Sequence, residues 1–142
     1  MDLITQLKRD EGLRLHAYPD PLTHAEPWTI GYGHTGDVKK GDLITEHQAE
    51  QLLLLDIDKH KKELEKSLPW VCILDDARYG CLLNMAFNMG IPKLLKFKNT
   101  LKHVECARYN DASEGMLDSL WAKQVKDRAI RLSKQMRTGE WH

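Results

Sequence analysis

Apolar positions recur at helical spacing through most of this chain, and one stretch near its start abandons that spacing for a strand-like one. Leu3, Ile4 and Leu7 share one helix face behind Asp2, a suitable N-cap, and Gly12 stops the run just beyond Glu11. Glu11 is thereby placed at a helix C-terminus. Leu15 to Val38 is rich in Pro, Gly, Tyr and Thr, and the run Trp28 to Tyr32 combines aromatic and β-branched residues between turn signals, which predicts a small antiparallel sheet or hairpin. Thr45 with Gln48 has the form of a capping box opening a long helix, along which Ala49, Leu53, Ile57 and Leu64 keep one stripe until Ser67 and Pro69 end it. At about 22 residues and roughly 33 Å, that helix is long enough to join two lobes. Asp75 to Met89 is apolar on nearly every side and reads as a buried central helix. Gly90 and Pro92 then interrupt. Short helices are expected around Lys93 to Phe97 and Thr100 to Ala107, Asn110 with Asp111 caps another, and Val125, Ala129, Leu132 and Met136 form a last stripe ended by Gly139.

The 142 residues, 42% hydrophobic and 30% charged, amount to one globular domain with enough chain to bury a core unaided by metal or disulfide. No apolar run approaches the ~18 residues that a membrane span needs. Met1 to Asp10 mixes charges with apolar residues and does not read as a secretory signal. Three cysteines, Cys72, Cys81 and Cys106, are odd in number and flanked by apolar residues, which favours buried reduced thiols and a reducing compartment. Net charge is zero, yet residues 1–70 hold 9 basic against 13 acidic side chains and residues 71–142 hold 12 against 8. The halves are thus −4 and +4, too weak a basic footprint for a nucleic-acid binder but able to orient an anionic polymer toward the second half.

The chemistry is concentrated in residues 11–35, EGLRLHAYPDPLTHAEPWTIGYGHT. Glu11 ends a helix and Asp20 lies in a Pro-rich loop before the strand, so the two carboxylates occupy unlike surroundings, the arrangement that lets one act as an acid and the other as a base. The negative end of a helix dipole favours a protonated Glu11. Read alone, each residue has a plainer role: Glu11 as an exposed helix-end carboxylate, Asp20 as a turn cap, Thr29 as a strand residue. Seven histidines are present, but neither HExxH nor a Cys/His cluster at ligand spacing occurs, so no metal or other cofactor is expected. Gly31 and Gly33 lack the rest of a phosphate loop and mark places where backbone turns tightly or approaches substrate.

The order helix, Glu-Gly, Leu-x-x-x-Tyr, Asp, T-I-G-x-G-H closely resembles the bacteriophage lysozymes, muramidases that cut the glycan of bacterial peptidoglycan. NMAFNMG (Asn84 to Gly90), FKNTL (Phe97 to Leu101), Trp121, DRAIR (Asp127 to Arg131) and RTGEW (Arg137 to Trp141) extend the resemblance, in the same order, over nearly the whole chain. It implies an α+β, predominantly helical, lysozyme-like fold: a single domain over 1–142, with a small sheet-bearing lobe at about 12–44, a linking helix at about 45–67, and a helical lobe at about 68–142 joined by the N-terminal helix 1–11, the substrate cleft lying between the lobes.

The resemblance further implies that Glu11 protonates the glycosidic oxygen between N-acetylmuramic acid and N-acetylglucosamine, while Asp20 and Thr29 hold and activate water on the opposite face, with inversion. Thr35, Phe87 and Thr100 match sugar-contacting positions, and Gly115 stands where a relative has a sugar-contacting amide, so one hydrogen bond is missing there. Arg128 matches an arginine paired with the catalytic acid, whose charge opposes the helix dipole by favouring the carboxylate. Trp121 with Asn88 matches a supporting hydrogen-bonded pair, and His34 with Asp56 a salt bridge to the long helix. This chain departs from the pattern in a longer loop between Asp20 and Thr29 and a shorter segment from His34 to Asp56. The expected activity is that of an endolysin acting on peptidoglycan strands as a monomer. It would be held in the host cytoplasm until a separate holin opens the membrane, with no nucleic-acid partner and no membrane insertion. Two alternatives stay open: a lytic transglycosylase on the same bond, and a peptidoglycan-binding module without turnover.

Overall fold

The computed structural model describes residues 1–142. Its elements are α1 (Leu3–Glu11), β1 (Arg14–Tyr18), β2 (Thr29–Gly31), α2 (Glu46–Ser67), a 3-10 turn (Pro69–Ile73), α3 (Asp76–Met89), α4 (Ile91–Leu94), α5 (Lys98–Glu105), α6 (Tyr109–Leu117), α7 (Leu120–Val125) and α8 (Asp127–Thr138). Eight helices and one small antiparallel sheet make the α+β, mostly helical class expected from the resemblance. No helix is long and apolar enough to cross a membrane.

Ile4–Lys59 forms one compact unit, and Met1–Leu3 with His60–His142 forms the other. In the first, β1 and β2 pair antiparallel in the register Arg14↔Gly31 and Tyr18↔Thr29, so β1 carries extra residues between the two pairs and bulges. Residues 42–44 add a short third edge, with Ala17 N donating to Asp42 O and Ile44 N to Leu15 O. The strand predicted over Trp28 to Tyr32 is shorter because the chain reverses at once: Ile30 and His34 exchange both backbone hydrogen bonds across a turn whose Gly31 and Gly33 have φ of +67° and +84°. A side chain at Gly31 would also press on Ala49 of α2, only 3.4 Å from where its Cβ would lie.

α2 opens on the capping box read from the sequence, Thr45 N donating to Gln48 Oε1 at 2.9 Å and Gln48 N to Thr45 Oγ1 at 3.1 Å. From Ile4 onward, α1 groups with the sheet-bearing segment, whereas the sequence reading placed helix 1–11 with the helical lobe. Two contacts explain the grouping. Lys8 Nζ donates to Glu50 Oε1 of α2 at 2.8 Å and lies 5.8 Å from the centre of the Tyr32 ring. This pairing raises the pKa of Lys8 through its hydrogen bond to Glu50 and lowers that of Glu50 through the reciprocal bond.

The second unit is built on α3, whose residues from Gly80 to Ala86 are all buried. Cys81, Leu82 and Met85 pack with Leu64, Val71, Leu94, Val104, Met116, Leu132 and Met136, each side chain of that size contributing about 1.5–3 kcal/mol on leaving water. Asp75 caps α3 by accepting from Arg78 N at 3.1 Å. α8 is tied along it by Cys81 Sγ to Leu132 O at 3.3 Å, Gln135 Nε2 to Ala77 O at 2.6 Å, and Arg78 Nε to Met136 O at 2.7 Å. Trp141 covers Gly80 so closely that no side chain fits there.

Four details differ from the sequence reading. Pro92 opens α4 instead of interrupting, because in the first helical turn its missing N–H leaves no bond unmade. α6 starts at Tyr109, so Asn110 and Asp111 lie inside its first turn, where the charge of Asp111 suits the helix dipole. The stripe Val125, Ala129, Leu132 and Met136 is cut: Ser119 caps a separate α7, and Lys126, at φ 53° and ψ −112°, separates it from α8. All three cysteines are free, but only Cys81 is buried; Cys72 lies exposed in the 3-10 turn and Cys106 at the end of α5.

Candidate active site

Glu11 is the last residue of α1, and Gly12, at φ +71°, closes the helix behind it by donating from its N–H to Lys8 O. The partly buried carboxyl group rests on the turn that follows β2, where a Cβ at Gly33 would lie 3.3 Å from Glu11 Oε2. The glycine noted in the sequence as a close-approach point therefore approaches the acid itself. It combines a positive φ with the absence of a side chain, two requirements only glycine meets without strain.

Asp20 follows β1 by two residues, and Thr29 begins β2 opposite Tyr18, so the register sets both at the same end of the hairpin. The lengthened loop between them is folded onto itself. Asp20 Oδ1 accepts from Leu22 N at 3.3 Å and Oδ2 from Thr23 Oγ1 at 3.4 Å, while His24 N donates to Asp20 O and Asp20 N to Ala25 O. The plain role of turn cap is thus filled. Two long hydrogen bonds still leave a carboxylate with acceptor capacity on both oxygens, since it can take about four.

His34 Nδ1 lies 2.8 and 3.0 Å from the two oxygens of Asp56 in α2, and its Nε2 lies 2.9 Å from Gly36 O. Both ring nitrogens face acceptors, so the doubly protonated ring satisfies both at once and either neutral tautomer only one. The histidine ties residues 34–36 to the long helix, and Thr35 stands exposed between its two anchors.

In the helical unit, Phe87 packs on His60 with ring centres 5.2 Å apart. Trp121 Nε1 donates to Asn88 Oδ1 at 2.7 Å, and the indole meets Phe97 edge to face at 6.2 Å. Thr100 is only 6% exposed, its hydroxyl occupying the space over Gly115 that a side chain there would need. Arg128 is buried and donates through Nε to Asn84 Oδ1 at 2.9 Å. The sequence reading missed Asn84. Its signal was present: a polar residue, 0% exposed, in an otherwise apolar helix must find a hydrogen-bond partner. Within each unit the structure therefore joins Glu11 with Gly33, His34 with Asp56, Trp121 with Asn88, Thr100 with Gly115, and Arg128 with Asn84.

Comparison with known proteins bears on these groupings. The family model for phage lysozyme matches residues 8–137. The endolysin of Salmonella phage P22 is 34% identical over 94% of this chain and 90% of its own length. The endolysin of Acyrthosiphon pisum secondary endosymbiont phage 1 is also 34% identical, over 82% of this chain and 75% of its own. Probable T4-type lysozyme 1 of Dictyostelium discoideum is 29% identical over 94% and 92%.

Proposed function

Because the chain belongs to the phage lysozyme family, and is with it a glycoside hydrolase, we propose that it is an endolysin cutting the β-1,4 bond between N-acetylmuramic acid and N-acetylglucosamine, with inversion. Glu11 gives its proton to the glycosidic oxygen, and Asp20 with Thr29 orients and deprotonates the water that attacks the anomeric carbon from the other face. The observation that carries this reading is the helix-end carboxyl group of Glu11 held on Gly33, in the same compact unit as the hairpin end that bears Asp20 and Thr29. Thr35, Phe87 and Thr100 contact the sugars. Arg128 sets the charge environment of the acid, and the Trp121–Asn88 and His34–Asp56 pairs support these residues without touching the reacting bond. The enzyme works as a monomer and reaches the wall after a holin opens the membrane.

Glu11→Gln keeps the shape of the side chain and removes the proton donor. It is expected to lower lysis of bacterial walls about 10²–10⁴-fold with the melting temperature retained. Undiminished lysis would refute the assignment.

One observation favours a second reading. Both oxygens of Asp20 serve its own turn, which suits a lytic transglycosylase that works with a lone acid and closes an anhydro ring. Mass spectrometry of the released muropeptides separates the two, reducing ends marking hydrolysis and anhydro ends ring closure.

A further inference from the structure

The turn after β2 is met residue by residue by the helices around it. Gly31 lies against α2, with Ala49 Cβ 3.4 Å from where a Cβ at Gly31 would stand. The ring of Tyr32, 6% exposed, has the Lys8 ammonium 5.8 Å from its centre, and a Cβ at Gly33 would lie 3.3 Å from Glu11 Oε2. Lys8 in turn donates to Glu50 Oε1 at 2.8 Å, and Glu50 follows Ala49 in α2. Lys8 and Glu11 stand three residues apart in α1 and so share one face of that helix. All of these residues belong to the compact unit Ile4–Lys59. The buried Leu7 seats α1 through apolar contact, which is non-directional and does not by itself fix the rotation of the helix. A hydrogen bond has direction. Any roll of α1 that lifts Glu11 from Gly33 also carries Lys8 away from Glu50.

We infer that Lys8 is a positioning residue for the acid: clasped between Glu50 and the Tyr32 ring, it fixes the rotation of α1 and thereby the place of the Glu11 carboxyl group on Gly33. The inference rests on Glu11 being the general acid and adds a residue that acts through it. Lys8 and Glu50 are 35% and 41% exposed, and an ion pair so open to water adds little to stability. The placement of a catalytic group is far more sensitive, since an error of about 1 Å can cost roughly a hundredfold in rate. The clasp therefore counts for little in folding and for much in turnover. The aromatic ring is what keeps the cation in place, because a ring face attracts an ammonium within about 6 Å of its centre, so that Lys8 is held from two sides.

The test measures kcat and KM on soluble glycan strands together with the melting temperature. Lys8→Met removes the charge and keeps most of the side chain's length; it is expected to lower kcat about tenfold, leave KM unchanged and lower the melting temperature by no more than about 4 °C. Lys8→Arg, which keeps the cation and its affinity for an aromatic face, is expected to restore kcat to within about twofold of the parent. Glu50→Gln is expected to reproduce the fall, and carries the test should Lys8→Met not fold. Combining Lys8→Met with Glu50→Gln should lower kcat no further than the worse single variant, as two halves of one contact require. By NMR, the His34 amide, which donates to Ile30 O across the same turn, is expected to exchange with solvent about threefold faster in Lys8→Met. This readout needs no turnover. An unchanged kcat, a fall that Lys8→Arg shares, a rise in KM in its place, additive losses in the double variant or an unchanged exchange rate overturns the inference. Full lysis by Glu11→Gln instead defeats the acid assignment beneath it, so the two failures are told apart.

Discussion

At the scale of single residues, two positive-φ glycines lie next to Glu11, one following it in the chain and one under its carboxyl group. Gly12 and Gly33 share a left-handed backbone, at φ +71° and +84°; a Cβ at Gly33 would lie 3.3 Å from Glu11 Oε2, whereas one at Gly12 would meet nothing beyond its own chain neighbours. Alanine at either is expected to cost about 1–2 kcal/mol in unfolding free energy for the conformation alone. Gly33→Ala must also push the Glu11 carboxyl group aside. Denaturant titration should therefore show similar losses for the two variants, while the rate of wall lysis falls only for Gly33→Ala. Equal lytic rates would mean that Gly33 does not position the acid. The Arg128–Asn84 bond is legible at the same scale only in hindsight, from a buried asparagine that had to be bonding something.

Among the elements, the break between α7 and α8 is where packing overrules periodicity. A lysine at φ 53° and ψ −112° occupies a region that L-residues avoid, at a cost of about 1–3 kcal/mol, so the packing of α7 and α8 on their neighbours must exceed that cost. Lys126→Gly is expected to raise stability by roughly 1 kcal/mol, read as a higher melting temperature. A lower one would show that the lysine side chain contributes more than its backbone strain removes. The opposite case is the start of α2, where local signals and structure coincide. Thr45→Ala removes one arm of the capping box and is expected to cost about 1 kcal/mol.

For the whole molecule, stability at high pH follows from one buried acid, Cys81, and one partly buried, Tyr79. Burial raises the pKa of the Cys81 thiol, and burial together with the hydrogen bond to Glu65 at 2.6 Å raises that of the Tyr79 phenol. The fold therefore keeps protons that the unfolded chain releases above the ordinary thiol and phenol values, 9.0 and 10.0. Their contribution is fully present below pH 9 and falls as pH rises through the window above it. Melting temperatures measured between pH 8 and 11 should decline, Cys81→Ala flattening the lower part of the curve and Tyr79→Phe the upper. In an absorbance titration of the four tyrosines, one should resist ionisation until the protein unfolds. A complete titration in the native state would contradict this.

The helices opened by Thr45 with Gln48 and by Asp75, the stop at Gly139, the hairpin around Thr29 and the ordered motifs that mark the family could all be read along the chain. Each depends on side chains within one or two turns of one another, or on runs of residues quoted as they stand. Other features required the folded chain. Among them are the seat of Glu11 on Gly33, the Thr100 hydroxyl over Gly115, the bond from Arg128 to Asn84 and the burial of Cys81 but not of Cys72 or Cys106. These depend on groups brought together by packing across tens of residues, where the space left by one side chain decides what another can do, and no local periodicity encodes that space.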